Sequence, residues 1–315
     1  MNPAAIADMN PVRLAGYQGP ASILTAALRS LAAHLSAHFG DAPIDTEINV
    51  TAQGETAASL FASVDGGARQ ICYLASGYLA AKVPELAALD LPFTVHDRTL
   101  ALRALDGAAG TLFTTAIEAR TGYKVLGYWD NGFRHISNGV RPLHGPADCA
   151  GLTIRTLDSA IYRESLTALG FQPLSIDVKD LVRVVQTRAV DAQENPLTNY
   201  VNFDLFKHHP YVSLTSHFFG VLLLVCNRQW FASLPQPAQE SLLEGACQTT
   251  TTQREQAASE DARLIGQLGT HGTQIIDGSE LDLDAMKHAT RFIVEREARN
   301  LSPQIVSAYL NEVTR

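Results

Sequence analysis

The chain has 315 residues, 46% of them hydrophobic, enough to bury a large core and to fill two lobes. Its formal net charge is −8 and no Lys/Arg block interrupts the acidic balance, which excludes nucleic acid as a partner, because binding it takes a basic stripe that displaces counterions. No apolar run approaches the ~18–20 residues that span a bilayer; the longest, Phe218 to Cys226, reads as a buried strand.

Met1 to Asp8 shows neither the basic start nor the apolar stretch of a secretory signal. A protein working outside the cytoplasm would therefore have lost its leader from this sequence. Val12 to Gly16 reads as the first strand. Leu24, Leu28, Leu31 and Leu35 then mark one face of a helix. Ile44 to Val50 reads as a strand, Thr56 to Val64 as a short helix, and Gln70 to Leu74 as a third strand entered from Asp65-Gly66-Gly67. Asp97 is placed to cap a helix carrying Leu102 and Leu105 and continuing past Gly110 to Ile117.

Val125 to Trp129 opens the second half as a strand, and Asp130-Asn131-Gly132 signals a turn after it. Thr153 to Arg155 and Gln172 to Ile176 are expected strands around a helix with Tyr162, Leu166 and Leu169 on one side. Val178, Leu181, Val182 and Val185 predict another helix, and Ala189 to Gln193 the strand after it. Tyr211 to Thr215 and Phe218 to Cys226 read as two strands that cross between lobes. From Pro237 to Leu268 a single helix of ~45 Å is expected at 1.5 Å per residue, and a last helix carries Leu283, Met286, Thr290 and Ile293. Alternating strands and helices without a Pro/Ser-rich linker predict an α/β fold of interwoven lobes.

Three segments bring together chemistry suited to an anion: Gly132-Phe133-Arg134-His135, Gly151-Leu152-Thr153-Ile154-Arg155 and Gln193-Glu194-Asn195-Pro196. The guanidinium groups of Arg134 and Arg155 offer paired planar donors that match a carboxylate, and the Asn195 amide can add a third donor. Arg155 follows an apolar residue at a strand end, where open α/β sheets place ligands; an isolated surface arginine paired with Asp158 or Asp191 is the bland alternative. Pro196 forces Asn195 into an extended conformation. Trp129, Tyr78, Phe93 and Tyr17 are candidate pocket walls, and Gln18, Glu194 and His217 candidate polar contacts. Each aromatic taken alone is more often a core residue.

These three motifs, with Leu89-Asp90-Leu91-Pro92-Phe93, resemble the solute-binding proteins of tripartite ATP-independent periplasmic (TRAP) transporters, the DctP type, and the resemblance runs nearly end to end. It implies a two-lobed periplasmic-binding-protein-like fold. Residues 1–132 plus 221–260 would form one lobe and 133–220 plus 261–315 the other, with the ligand cleft between them and chain crossings near Phe133, Gly220 and Glu260. By the same resemblance Arg155 clamps a substrate carboxylate. The protein would capture a small organic acid in the periplasm as a monomer and hand it to the TRAP membrane permease subunits.

Enzyme signatures are missing: there is no G-x-S-x-G elbow, P-loop, G-x-G-x-x-G turn or H-E-x-x-H helix. No cofactor or metal is expected. His34 and His38 lack a third ligand at matching spacing, and a cation bridging ligand and protein, as some members of the family are described to use, would fall to Glu194. Two other readings remain. One is a carboxylic-acid lyase or isomerase with Glu194 or His217 as its base; the other is a ligand-binding sensor subunit. The four cysteines form no C-x-x-C pair; Cys72 and Cys226 read as small buried hydrophobes, and a Cys149–Cys247 disulfide is a minor alternative.

Overall fold

The structure, a computed structural model, describes residues 11–315; the segment Met1 to Asp8, read above for a leader, lies outside the described residues. In chain order the principal elements are β1 (Val12–Ala15), α1 (Ile23–His38), β2 (Ile44–Glu47), α2 (Ala57–Asp65), β3 (Ile71–Ala75), α3 (Arg98–Asp106), α4 (Ala108–Arg120), β4 (Tyr123–Asn138), α5 (Pro146–Cys149), β5 (Thr153–Thr156), α6 (Ala160–Ala168), β6 (Gln172–Ser175), α7 (Val178–Gln186), β7 (Ala192–Pro196), α8 (Leu197–Asn202), β8 (Tyr211–Asn227), α9 (Arg228–Ser233), α10 (Gln236–Leu268), β9 (Gln274–Ile276) and α11 (Leu283–Asn300). The fold is α/β.

The helices start where their sequences offer caps. Ser22, Thr56, Asp97 and Asp177 each accept a backbone N–H at the head of α1, α2, α3 and α7, filling donors that a helix start leaves unpaired. The apolar stripes are buried as their spacing requires: Leu24, Leu28, Leu31 and Leu35 on α1, and Val178, Leu181, Val184 and Val185 on α7. On α7, Val184 takes the buried place expected for Val182, which is half-buried.

Four expectations change. The helix after Asp97 breaks at Gly107, and α4 restarts so close that a Cβ on Gly110 would stand 1.8 Å from the Leu105 carbonyl oxygen; only glycine fits that approach. The turn expected at Asp130-Asn131-Gly132 is absent, because β4 runs on for 16 residues, with Gly132 at φ 84° absorbing the irregularity. The two strands expected from Tyr211 and Phe218 are one 17-residue strand, β8, in which Ser216 adopts φ 46°. In both strands, ladder hydrogen bonding to neighbours overrides a local turn signal. β7 also sits three residues later than expected, so Asn195 lies inside it.

Contacts divide the chain into two units, each assembled from three segments. Among the described residues, unit 1 comprises 11–74, Thr114–Asp130 and Leu222–Ala257; unit 2 comprises Ala75–Phe113, Asn131–Val221 and Ala258–Arg315. The sequence reading gave residues 75–113 to the first lobe. Here they pack with unit 2, where Ser76 and Asp90 bond to one another and Asp90 meets Tyr162 of α6. Tyr78 and Phe93 move with them.

In unit 1, β1 pairs in parallel with β2 and β3. Val12, Leu14, Leu28, Leu31, Leu60, Val64 and Tyr73 are fully buried there. In unit 2, β4 pairs antiparallel with β7, β7 runs parallel to β5, and β5 parallel to β6; β9 joins the start of β8. The core of unit 2 gathers Ile136, Leu152, Ile154, Leu166, Leu169, Phe171 and Met286, with Phe93 packed against it. α10 covers 33 residues, a rod of ~50 Å. All four cysteines are free, three buried and Cys247 exposed, so no Cys149–Cys247 bond forms.

Candidate functional site

Unit 2 gathers Arg134, Arg155, Glu194, Asn195, Tyr78, Phe93 and His217. The antiparallel register sets Arg134 opposite Pro196 and Ile136 opposite Glu194, so Arg134 and Glu194 are diagonal neighbours on one face of the ladder. Arg134 Nε donates to Glu194 Oε2 at 2.5 Å; its Nη2 donates to Glu194 Oε1 at 3.0 Å and to the Glu194 carbonyl at 2.9 Å. Thr156 Oγ1, one residue beyond Arg155, donates to Glu194 Oε1 at 2.8 Å. The Arg134 guanidinium also lies over the Tyr162 ring, 5.4 Å from its centroid. Both partners are sealed from water, at 3% and 0% side-chain exposure.

That pair sets its own protonation. Burial works against the Glu194 carboxylate, but Arg134 and His217 beside it bring it down to about 2. Burial works against the Arg134 cation too, and Glu194 holds it above its ordinary value. His217 Nε2 stands 3.7 Å from Glu194 Oε2, beyond a hydrogen bond, while its Nδ1 meets Thr215 Oγ1 at 2.7 Å. Burial lowers the His217 pKa, and burial with His217 and Arg134 nearby lowers that of His135 to about 3. The His135 imidazole is neutral near pH 7.

Arg155 is different. It is 2% exposed. Its Nε donates to the Ile176 carbonyl at 2.8 Å, its Nη2 has no hydrogen-bond partner, and no carboxylate among the described residues pairs with it. Ile176 follows β6, so this guanidinium lies at the carboxyl ends of two parallel strands, the position where such sheets take ligands. Burial pulls the Arg155 pKa down from its ordinary value. Burial raises the pKa of Tyr78, which is half-buried and lies near the charges of Arg155 and Arg134. The bland alternative, Arg155 paired with Asp158 or Asp191, does not form: Asp158 binds Arg163, and Asp191 binds Thr153.

Asn195 takes a supporting place. Its Nδ2 donates to Gln193 Oε1 at 2.6 Å, and its Oδ1 accepts from Asn199 at 3.1 Å and more distantly from Arg134 at 3.4 Å. Phe93 adopts φ 55°, donates its N–H to the His217 carbonyl at 2.9 Å, and sets its ring 6.5 Å from the His217 ring. The other candidates belong to unit 1. Trp129 lies within β4 and not at a strand end; it is fully buried, bonded to Thr250 Oγ1 at 3.1 Å, with its ring 5.5 Å from that of Tyr73. The Tyr17 ring packs between Phe61 and Tyr73. Gln18 is 1% exposed, with Oε1 lacking a hydrogen-bond partner. His34 bonds to the Ser241 carbonyl.

Sequence reasoning passed over Asp90 as a chemical group and treated Tyr162 only as an apolar-face residue. Asp90 is fully buried; Oδ1 accepts from Ser76 Oγ at 2.9 Å and Tyr162 OH at 3.4 Å, and Oδ2 has no partner. Burial pushes its carboxyl up to about 7. An acid inside the apolar run from Ala87 to Leu91 was the available signal.

Comparison with known proteins gives the family and the fold. The family model of bacterial extracellular solute-binding proteins, family 7 (DctP), matches residues 23–300. The chain is 30% identical over 233 residues to the 2,3-diketo-L-gulonate-binding periplasmic protein YiaO of Escherichia coli, covering 74% of this chain and 70% of that one. It is 26% identical over 191 residues to the C4-dicarboxylate-binding periplasmic protein DctP of Rhodobacter capsulatus, covering 61% and 57%. Its fold matches that of the sugar acid binding protein DctPAm from Advenella mimigardefordensis, solved with galactonate, at TM-score 0.90 and 22% identity over 97% of this chain and 99% of the other.

Proposed function

We propose, from the premise that this chain belongs to the DctP-type solute-binding proteins of TRAP transporters, that it binds a small organic acid through Arg155 in the periplasm and delivers it to the membrane permease subunits. The observation that carries the ligand class is the state of Arg155: a buried guanidinium with an unpartnered Nη2 and no carboxylate of its own. Burying a cation without its counter-ion is costly, and a ligand carboxylate restores the balance with charged hydrogen bonds of about 1.5–3 kcal/mol each. Relatives named for diketogulonate and C4-dicarboxylates, and a structural neighbour holding galactonate, support the same class of ligand.

The ligand leaves chemically unchanged. Glu194, the best placed base, is committed to Arg134 and Thr156 and is far more acidic than a group that abstracts protons near neutrality. Calorimetric titration with a library of organic acids tests the assignment, followed by the same titration on folded Arg155→Ala. A loss of roughly 30-fold or more is expected, from one or two charged hydrogen bonds; unchanged affinity would remove Arg155 from the site. Mass spectrometry of the bound acid after long incubation tests the chemistry, and a new product at a catalytic rate would make the protein an enzyme.

A further inference from the structure

We infer that Asp90 is a proton site tied to the ligand site, and that its carboxyl takes up a proton from solvent when an organic anion binds at Arg155. This rests on the organic-acid reading above and adds what is bound along with the acid. Asp90 ends the turn Pro84–Asp90 and is fully buried. Its Oδ1 accepts from Ser76 Oγ at 2.9 Å and from Tyr162 OH at 3.4 Å, while Oδ2 has no hydrogen-bond partner among the described residues. An ionised carboxylate offers about four acceptor sites. Only one oxygen is served here, and a charge left so bare inside a protein is costly. Glu194 is the contrast, with Arg134 and Thr156 filling both of its oxygens. A Cβ placed on Gly77 would stand 3.3 Å from Asp90 Oδ2 and 3.6 Å from Ser159 Cβ, so Ser159 lies beside the bare oxygen. Its hydroxyl, buried and without a partner among the described residues, can accept from a protonated carboxyl but brings no charge to an ionised one.

The same few residues join Asp90 to Arg155. Ser76 opens the turn Ser76–Tyr78, and Tyr78 lies near the charges of Arg155 and Arg134. A Cβ on Gly77, between them, would also stand 3.0 Å from Leu157, two residues past Arg155. Arg134 from β4 and Glu194 from β7 face Asp90 as a closed pair, so their charges nearly cancel. Tyr162 from α6 and Tyr309 from the segment Val306–Leu310 face it un-ionised, since burial raises the pKa of both. α11 packs against the turn that ends at Asp90; its Asp284, Lys287, His288 and Arg291 are exposed around the groove beside Pro92, and solvent screens them. Arg155 is then the charge whose balance changes on binding. Free, its cation favours an ionised Asp90. Once a ligand carboxylate neutralises it, that support is lost, and the Asp90 carboxyl, already pushed up to about 7 by burial, rises further. Linkage makes the effect reciprocal, so an ionised Asp90 weakens the anion's binding. Affinity is therefore full below the free value, falls as pH rises toward the bound value, and levels off above it.

Calorimetry on the whole chain with D-galactonate, D-glucuronate, lactate and L-malate, all ionised in this range, tests the coupling. For whichever acid binds, enthalpies at pH 7.5 in buffers of different ionisation heat count the protons taken up, expected at about 0.3–0.5 per ligand. Affinity should fall about three- to tenfold from pH 6.5 to pH 9. Asp90→Asn, a neutral group of the same shape whose amide oxygen still accepts from Ser76, should abolish the uptake and flatten the profile. In the native chain an infrared difference spectrum, bound minus free, should gain carboxylic-acid C=O absorption at pH 7.5. Zero proton uptake by the native chain, or the same uptake in folded Asp90→Asn, overturns the inference and leaves the organic-acid reading standing. Binding of no acid, here or in the wider library, removes both. Should Asp90→Asn fail to fold, the native chain's proton count and its infrared band decide.

Discussion

Arg134 and Arg155 are both buried in unit 2, and they live in opposite electrostatic circumstances. Arg134 sits in mid-strand on β4, closed into a set with Glu194, Thr156, Asn195 and the Tyr162 ring. Arg155 sits near the end of β5, held by the Ile176 carbonyl, with Nη2 unspent. The first arrangement is finished within the protein, and the second, on the function proposed above, is completed by a ligand. Burial by itself therefore does not mark a binding residue. What marks it is a strong donor left without its counterpart, because a native chain rarely tolerates that cost without a use for it.

The contrast breaks most readily at the closed pair. Arg134→Ala leaves Glu194 buried and uncompensated, and should cost about 3–5 kcal/mol of folding stability; chemical denaturation measures it, and a loss below 1 kcal/mol would mean the pair is not closed. Arg155→Ala should move the other way, weakening ligand binding while leaving the unliganded melting temperature unchanged or raised, since it removes an unpaired buried charge. Arg155→Lys should rescue little of that affinity, because a point charge does not replace the planar fork. A large drop in unliganded stability for Arg155→Ala would make this arginine structural.

Asp90 sharpens the comparison through pH. Its carboxyl titrates at about 7 in the fold and near 4 when unfolded. Between those values the folded chain holds the extra proton, so this group's contribution to stability falls as pH rises through the window. The groups facing it are Ser76, Tyr162, Arg134, Glu194 and Tyr309. Asp90→Asn should therefore gain about 2 kcal/mol over the native chain between pH 5 and pH 8, read from melting curves at the two values; parallel pH profiles would falsify the assignment. The smallest effect belongs to Thr156→Val, which removes one hydrogen bond from Glu194 and should cost about 1–2 kcal/mol. A null result there means that Arg134 alone satisfies the carboxylate.

Much of the molecule was legible from local signals. The cap at Asp97, the leucine face of α1 and the long helix ending at Leu268 all depend on residues within a turn or two of one another. The three motif segments pointed to Arg134, Arg155, Glu194 and Asn195, which unit 2 does bring together. Where the sequence misled, the deciding contact was distant along the chain. Asn131-Gly132 carries a turn signal, yet β4 continues through it to pair with β7. Residues 75–113 gave no sign that they pack with unit 2, since Asp90 meets Tyr162 across 72 positions.

The sequence by itself determined the α/β elements and the residue types of an anion site, because periodicity, caps and planar donors are properties of neighbouring side chains. Only the tertiary structure decided how those donors are spent. Whether a guanidinium is neutralised depends on which carboxylate lies within about 3 Å of it, and for Arg134 that carboxylate is 60 residues away. The same distance separates a spent arginine from an available one, and no local pattern encodes it.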